Sequence, residues 1–434
     1  MPTTNLLKYL RLIIFSLGVF VSNSVSAYYY AYITDHANEE VSKYLHVVNT
    51  DLGLLVQSIP LFGTPREIEL SHNGEHVYVS TEVIDGNVNA SKINIIDTRT
   101  NEVLLDRVIS VQKTSVWGMT LNKADNIFYA THEEGITRIV DPVLVDPDQI
   151  ELRHLDVTYS GASLTLSDDE NYLFVTGQDG DNNYGISVVD VSQPTMTVIL
   201  DKLVGPSAGS IDIEFENAGT RKSVYVVNRA TSQLIRYDIE NYDSSIDFDL
   251  VQGQVKSFPD FSYPVDMEFS PDGSEIFVSL SYIINSNQGD GDNGYIQVLD
   301  STTLTEIADV TLSLENGQFS PDVGALHPQA INFDDSGKMH VIKQLWNEYA
   351  GTYVSSIDDR VNRFTGDRSF TESFALHLGK RSANQTIGRF IGPDCNECPT
   401  GLEETTDPVI RPTAINLFML LSSFLFLLLF RYKK

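Results

Sequence analysis

Apolar and polar residues alternate over short runs through most of the chain, and Gly, Asn and Asp residues separate the runs. A period of two is typical of β-strands that bury one face, whereas an amphipathic helix repeats its apolar positions every three to four residues. Between residues 28 and 393 no long segment shows the helical period. The pattern therefore predicts an all-β region of antiparallel strands.

One strand–turn–strand phrase recurs within this region. Its clearest copy runs from Val265 to Phe269, continues through the turn Ser270-Pro271-Asp272-Gly273, and ends in Ile276–Ser279. First strands of this kind recur at 66–70, 117–121, 162–166, 211–215 and 330–333, with a degenerate copy at 387–391. A third strand ends in Asp, and a fourth returns, as in Glu102–Val108. Spaced repetition of one such motif indicates a repeat architecture.

The repeat predicts a β-propeller, because four strands in roughly 45–63 residues are typical of a propeller blade. The region begins with a strand of the second type, Tyr30–Thr34, and the surplus first strand is Ile387–Ile391. We therefore predict, over residues 28–393, a seven-bladed β-propeller of four-stranded antiparallel blades. The C-terminal strand would complete the N-terminal blade, which leaves no open sheet edge.

Three segments carry a resemblance to a known family. The segments Val224-Tyr225-Val226-Val227-Asn228, Ile95-Ile96-Asp97-Thr98-Arg99-Thr100-Asn101 and Phe269-Ser270-Pro271-Asp272-Gly273 resemble the YVTN-repeat family of seven-bladed propellers. The resemblance covers about residues 28–393 and is clearest in the middle blades. It implies the propeller fold. For function it implies two classes, surface-layer-type binding proteins and lactonase-like enzymes.

The two ends of the chain predict export and attachment. Residues 1–27 resemble a signal peptide, with Lys8 and Arg11 before a short apolar core and small residues at the cleavage positions. Residues 394–413 read as a Cys-containing junction and stalk, 414–430 as a hydrophobic helix, and 431–434 as a basic tail. The helix would be a membrane anchor or part of a processed sorting tail. Both alternatives place the propeller in the periplasm or at the cell surface.

The net charge of −30 limits the partners of the chain. Such an acidic surface repels nucleic acid and anionic lipid headgroups, so we expect no nucleic-acid partner. The remaining partner classes are an envelope protein and a small-molecule ligand.

Cys395 and Cys398 are the only cysteines, and we interpret them as a local disulfide. A recognition element for tail processing and a redox pair are the alternatives. A metal site would require further ligands at suitable spacing.

Two similar Asp-rich hairpin loops suggest calcium, because closely spaced carboxylate and amide oxygens suit Ca²⁺. The candidate ligands are Asp179, Asp181 and Asn183 in one loop, and Asp290, Asp292 and Asn293 in the other. Tight hairpin turns use the same residue types, so turn formation is the competing interpretation.

The sequence favours a binding or scaffold module over an enzyme, because no nucleophile or phosphate-cradling motif is present. The alternative function is a lactonase-like hydrolase that uses carboxylates at the channel mouth. His132 is a further candidate there, beside Glu133 and Glu134. Acidic, His and Arg side chains converging around a channel pocket would favour the enzyme.

Overall fold

The computed structural model describes strands between Tyr30 and Ile391 together with many of their connections. The described residues are 30–34, 44–49, 54–85, 88–111, 113, 115–143, 150–206, 210–218, 221–244, 246–259, 262–282, 294–311, 325–333, 339–347, 352–353, 360–364, 370–375 and 390–391. Their strands form antiparallel sheets arranged as a β-propeller, which confirms the predicted architecture.

The first strands of the chain are β1 (Tyr30–Thr34), β2 (Tyr44–Asn49) and β3 (Leu54–Pro60). The next blade is made of β4 (Thr64–Leu70), β5 (His76–Asp85), β6 (Val88–Asp97), β7 (Glu102–Val103) and β8 (Ile109–Ser110). It is followed by four blades of four consecutive strands each. The four are β9 (Gly118–Leu121), β10 (Ile127–His132), β11 (Gly135–Val140) and β12 (Leu152–Leu155); β13 (Ser160–Leu166), β14 (Tyr172–Gln178), β15 (Asn183–Asp190) and β16 (Thr197–Pro206); β17 (Ser210–Ala218), β18 (Arg221–Asn228), β19 (Gln233–Glu240) and β20 (Asp249–Ser257); and β21 (Ser262–Phe269), β22 (Glu275–Tyr282), β23 (Tyr295–Asp300) and β24 (Glu306–Thr311).

The ring is completed near the C-terminal end. The next blade comprises β25 (Ala325–Phe333), β26 (Met339–Asn347), β27 (Thr352–Tyr353), β28 (Arg360–Phe364) and β29 (Phe370–Ala375). The last strand, β30 (Phe390–Ile391), pairs with β1, so that Ile391 is opposite Tyr32 and Phe390 is opposite Ile33. The innermost strand of each blade contacts the innermost strand of the next blade. The order around the ring is β4, β9, β13, β17, β21, β25, β30 and back to β4.

The core lies between the faces of neighbouring blades. Phe174 and Val188 of one blade pack against Ile213, Val224 and Val226 of the next. All five side chains are almost fully buried. Because each blade is covered on both faces, its central strands read as continuous runs of β-branched and aromatic residues.

The repeated turn phrase closes the hairpin between the first and second strands. Ser270 donates to Asp272 at 2.7 Å, and Glu275 donates its backbone amide to Ser270 at 3.0 Å. Gly273 has φ +70°, a left-handed conformation that glycine adopts without steric cost. The phrase is therefore a structural element of the blade.

The prediction of a seven-bladed propeller of four-stranded blades is wrong. Six blades consist of consecutive strands, and two of these six have a fifth strand, β8 or β27. The remaining sheet is composite, formed by β1, β2, β3 and the two-residue β30. The sequence pattern does not reveal strands as short as β8, β27 and β30, because a strand of two residues is too short to show an alternation of apolar and polar residues. The predicted fourth strand 102–108 is likewise interrupted by a 3₁₀ turn at Leu105–Arg107.

The predicted helix at 414–430 lies outside the described residues, as do 1–27, 394–413 and 431–434. Among the residues that the structure does describe, no helix has the length and apolar character needed to cross a membrane.

Candidate active site in the central channel

The inner strands of the six blades surround a central cavity of about 620 Å³. Each inner strand contributes a four-residue motif in which the second and fourth residues are apolar. The second residues are buried between blades: Ile68, Met119, Leu164, Ile213, Met267 and Ile331. Because side chains alternate along a strand, the first and third residues of each motif belong to the opposite face, which lines the channel.

The first positions of the motif are Glu67, Gly118, Ser163, Asp212, Asp266 and Ala330. Two of these carboxylates join inner strands together. Asp212 accepts a hydrogen bond from the backbone amide of Met267 at 3.1 Å, and Asp266 accepts one from Ile331 at 2.8 Å. Since charge-assisted bonds of this kind satisfy buried amides, Asp212 and Asp266 have a structural role.

The third positions are Glu69, Thr120, Thr165, Glu214, Glu268 and Asn332, and all six are half-buried. Three glutamates, two hydroxyls and one amide therefore lie at the same level of the channel. This set combines groups that exchange protons with groups that hydrogen-bond a polar ligand.

Glu69 has an unusual protonation equilibrium. Burial raises its pKa to about 8, and the negative charges of Glu67 and Asp125 act in the same direction, while a hydrogen bond from the Leu121 backbone opposes them. At neutral pH the Glu69 carboxyl therefore holds its proton. A carboxylic acid in a cavity beside a second carboxyl group is an arrangement suited to acid–base chemistry.

His72 lines one end of the cavity, in the turn that follows β4. Its Nδ1 lies 3.0 Å from Oδ1 of Asp125. The same oxygen accepts the backbone amide of His72, and Oδ2 of Asp125 accepts that of Asn73. Asp125 belongs to the corresponding turn of the next blade, so this contact fixes adjacent blades at that end of the channel.

A positively charged side chain lies beside the start of the Glu67 motif. The guanidinium of Arg66 contacts Glu82, with its Nε 3.0 Å from Oε2, and lies 4.7 Å from the centre of the Trp117 ring. Ser115 donates to the other oxygen of Glu82 at 3.2 Å. The Arg66 guanidinium therefore contacts both the Glu82 carboxylate and the Trp117 ring.

The sequence suggested that His132 lines the channel mouth, but His132 is not among the residues that line the cavity. It is 1% exposed, and its Nε2 lies 3.0 Å from Oγ1 of Thr137. The same hydroxyl lies 2.6 Å from Nδ1 of His154. The structure therefore places His132 in a buried His–Thr–His chain at the end of β10.

The predicted calcium ligands are only partly within the described residues. Asp179 accepts hydrogen bonds from the amides of Asp181 and Asn183 at 2.9 and 2.8 Å, and from Nδ2 of Asn183 at 3.0 Å. These three residues form a turn that uses the Asp179 carboxylate internally. Within the described part of the chain, no group of three or more His, Cys, Asp or Glu side chains is placed to hold a metal ion.

The other predicted site residues lie outside the described residues: Asp290, Asp292, Asn293, Cys395 and Cys398. The calcium site and the disulfide therefore stay predictions.

Sequence reasoning missed the channel glutamates. The signal was present, because three inner-strand motifs place acidic residues at both the first and third positions: Glu67-Ile68-Glu69, Asp212-Ile213-Glu214 and Asp266-Met267-Glu268. An acidic residue on the polar face of a strand ordinarily faces solvent, and only closure of the ring turns that face inward.

Comparison with known proteins agrees with the β-propeller fold. The chain matches no protein family and no curated protein. Among solved structures it is similar to the periplasmic gluconolactonase PpgL of Pseudomonas aeruginosa, with 12% identity over 84% of this chain and 99% of that chain, at a TM-score of 0.57.

Two structures from Bacteroides described as candidate 6-phosphogluconolactonases are similar to the same degree. The Bacteroides fragilis protein has 14% identity over 86% of this chain and 99% of its own, with a TM-score of 0.56. The Bacteroides uniformis protein has 16% identity over 84% and 99%, with a TM-score of 0.55. At such identities the similarity shows the fold alone.

Proposed function

We propose that this propeller is a lactone hydrolase whose reaction takes place in the central channel. The observation that carries the proposal is the pair Glu67 and Glu69, which line one cavity of about 620 Å³ from a single strand. The fold similarity to a gluconolactonase supports the same class. A polar, acidic lining also fits an enzyme better than the scaffold module, for which we would expect small apolar residues.

The two carboxyl groups have different roles in the proposed reaction. Residues two apart on a strand present side chains on one face at a separation of roughly 7 Å, which leaves space for a water molecule and a carbonyl group. Glu67 accepts a proton from the water as its oxygen attacks the lactone carbonyl carbon. The carbon–oxygen bond of the ring then breaks, and Glu69, protonated at neutral pH, donates its proton to the departing ring oxygen. The product is an open-chain hydroxy acid.

The polar groups of the other inner strands would orient the substrate. Thr120, Thr165 and Asn332 lie at the level of Glu69 on the inner strands of three other blades. Their hydroxyl and amide groups can hydrogen-bond the hydroxyls of a sugar-type lactone.

The proposal is tested by measuring hydrolysis of D-glucono-δ-lactone by the full chain with a pH-stat, after subtraction of the spontaneous rate. We expect Glu69→Gln and Glu67→Gln each to lower kcat/KM by about 10²–10⁴, the range for removal of a general acid or base. Glu240→Gln is the matched control, because Glu240 is exposed at the end of β19. Wild-type activity no higher than that of the double Gln variant would contradict the proposal.

We also propose that the protein is exported and held at a membrane by residues 414–430. Only sequence patterns support this location, namely the signal-like segment 1–27 and the charge-free apolar run before the basic tail. Cell fractionation with a C-terminal and an N-proximal epitope tests it. Loss of the C-terminal epitope alone from the mature protein would indicate a processed tail, and recovery of the whole chain in the cytoplasm would contradict export.

A further inference from the structure

We infer that the channel selects its ligands by charge, accepting cationic and neutral lactones and sugars and rejecting phosphorylated ones. The inference rests on the proposed function, because it takes the substrate to be a lactone, and it specifies which lactones the same site accepts. It is carried by the distribution of charge along the channel wall and by the position of each charged side chain.

The described lining of the cavity contains six acidic residues: Glu67, Glu69, Asp212, Glu214, Asp266 and Glu268. Within this described lining no residue is Lys or Arg, and His72 is the one basic side chain. Arg66 is near Glu67 in the sequence, but its guanidinium contacts Glu82 and the Trp117 ring. The described part of the wall therefore offers a phosphate no guanidinium fork or ammonium group of the kind that usually binds it.

Two glutamates are placed to discriminate without taking part in the proposed proton transfers. Glu214 and Glu268 are on β17 and β21, which lie across the ring from β4. Both are half-buried third-position residues, so they share the level of Glu69 within the channel. A ligand that places its ring beside Glu67 and Glu69 directs its far substituent toward β17 and β21.

An acidic channel strengthens this discrimination, since low-dielectric walls focus the field of the charges that line them. An anionic substituent would have to leave water and approach like charges, whereas an ammonium group would gain partners. The reaction product is itself a carboxylate, so the same field favours its departure. Selection against anions and release of the product then have one physical cause.

The experiment uses two pairs of lactones that differ only in a charged group. The first pair is γ-butyrolactone and its α-amino derivative, and the second is D-glucono-δ-lactone and its 6-phosphate. We expect kcat/KM of the full chain to favour the more positive member of each pair by at least about 10-fold at low ionic strength. Because salt screens charges, the ratio of the two kcat/KM values within each pair should shrink as ionic strength rises to about 0.5 M.

Glu214→Gln and Glu268→Gln should each reduce both ratios by about 3-fold or more, and Glu240→Gln should leave them unchanged. A purely structural role of the two glutamates would alter the rates for all four lactones equally and leave the ratios as they are. Equal or faster hydrolysis of the phosphorylated lactone, or ratios that respond neither to salt nor to the variants, would overturn the inference.

Binding of inert sugars separates this inference from the proposed function. Calorimetry compares glucosamine, glucose and glucose 6-phosphate, which share one ring and differ in charge. If no lactone is hydrolysed but affinity decreases in that order, the hydrolase proposal fails and charge selection stands. If glucose 6-phosphate binds as well as glucose or better, charge selection fails whatever the lactones show, and absence of both binding and hydrolysis overturns both proposals.

Discussion

Asp212 accepts a hydrogen bond of 3.1 Å from the backbone amide of Met267, which belongs to the next inner strand of the ring. Its other oxygen accepts the hydroxyl of Ser163 at 3.2 Å from the preceding inner strand. One carboxylate with 5% of its surface exposed therefore joins β13, β17 and β21. The channel wall is held together by the same residue type that gives it its charge.

We expect Asp212→Ala to lower the free energy of unfolding by about 2–3 kcal/mol, because a buried amide and a hydroxyl lose their charged acceptor. Denaturant unfolding monitored by tryptophan fluorescence measures the change. Asp247→Ala is the control, since Asp247 is exposed in the loop before β20. Equal midpoints for the two variants would show that the inner-strand carboxylate contributes nothing beyond surface charge.

The His132–Thr137–His154 chain has a defined direction. The backbone amide of Glu134 donates to Nδ1 of His132 at 3.3 Å, so the neutral ring carries its proton on Nε2 and donates it to Thr137. The hydroxyl of Thr137 then donates to Nδ1 of His154. Burial, together with the positive charges of His154 and Lys113, lowers the pKa of His132 to about 4, although Glu134 and Asp156 oppose the shift.

Acid should therefore destabilise the fold through His132. The unfolded chain binds a proton at this residue near pH 6.5, whereas the folded chain binds it only near pH 4, so stability present above pH 6.5 is lost as the pH falls between these values. We expect a contribution on the order of 2 kcal/mol to the decrease in unfolding free energy. Urea unfolding across this pH range measures it.

His132→Gln is expected to flatten that decrease, because glutamine does not titrate. His72→Gln should retain it, since the His72 side chain is 47% exposed in its turn. A wild-type stability that does not change between pH 6.5 and 4, or a His132→Gln curve parallel to the wild type, would contradict a neutral buried His132.

The inner strands could be predicted because their chemistry is local. Alternation between apolar and polar residues located Val265–Phe269, which lies within β21, and Asp272-Gly273 marked the following turn. The short strands β8 and β27 could not be predicted, because two residues carry neither a period nor a propensity that exceeds their surroundings.

The site was beyond sequence reasoning for a different reason. Glu69 and Glu214 are far apart in the chain, and both look like ordinary polar-face residues of half-buried strands. Their common environment arises only when the inner strands contact one another around the ring. The contact of Thr137 with His154 likewise depends on the cross-strand register that places these two residues opposite each other.

The turn that contains Asp179 can be tested for its two possible roles. Its carboxylate accepts three hydrogen bonds within the turn, the nearest being 2.8 Å from the amide of Asn183. We expect Asp179→Ala to lower the melting temperature by roughly 1–3 °C in a calcium-free buffer, because those bonds are lost. An equal melting temperature would contradict the structural role of the turn.

Calcium then separates the two interpretations of the same residue. If the loop binds Ca²⁺ as the sequence predicts, about 1 mM of the ion should raise the melting temperature of the wild type and leave that of Asp179→Ala unchanged. An identical response of both proteins would assign Asp179 to the turn alone.

Glu69 should give opposite effects on activity and on stability. Its pKa is raised from 4.5 to about 8 in the folded protein. Ionising this carboxyl group inside the channel therefore costs stability, which falls as the pH rises from 4.5 to 8. We expect Glu69→Gln to be more stable than the wild type at pH 9 by about 1–3 kcal/mol and equally stable near pH 4, because glutamine cannot ionise.

The same ionisation should limit catalysis from the alkaline side. If protonated Glu69 is the general acid, kcat/KM for the neutral D-glucono-δ-lactone falls above about pH 8, after subtraction of the spontaneous rate. Glu69→Gln should lose this decrease together with most of the activity, whereas Glu240→Gln should retain the wild-type profile. If Glu69→Gln gains stability at pH 9 without losing activity, Glu69 only destabilises the fold when it ionises. The general acid would then be another channel carboxyl group.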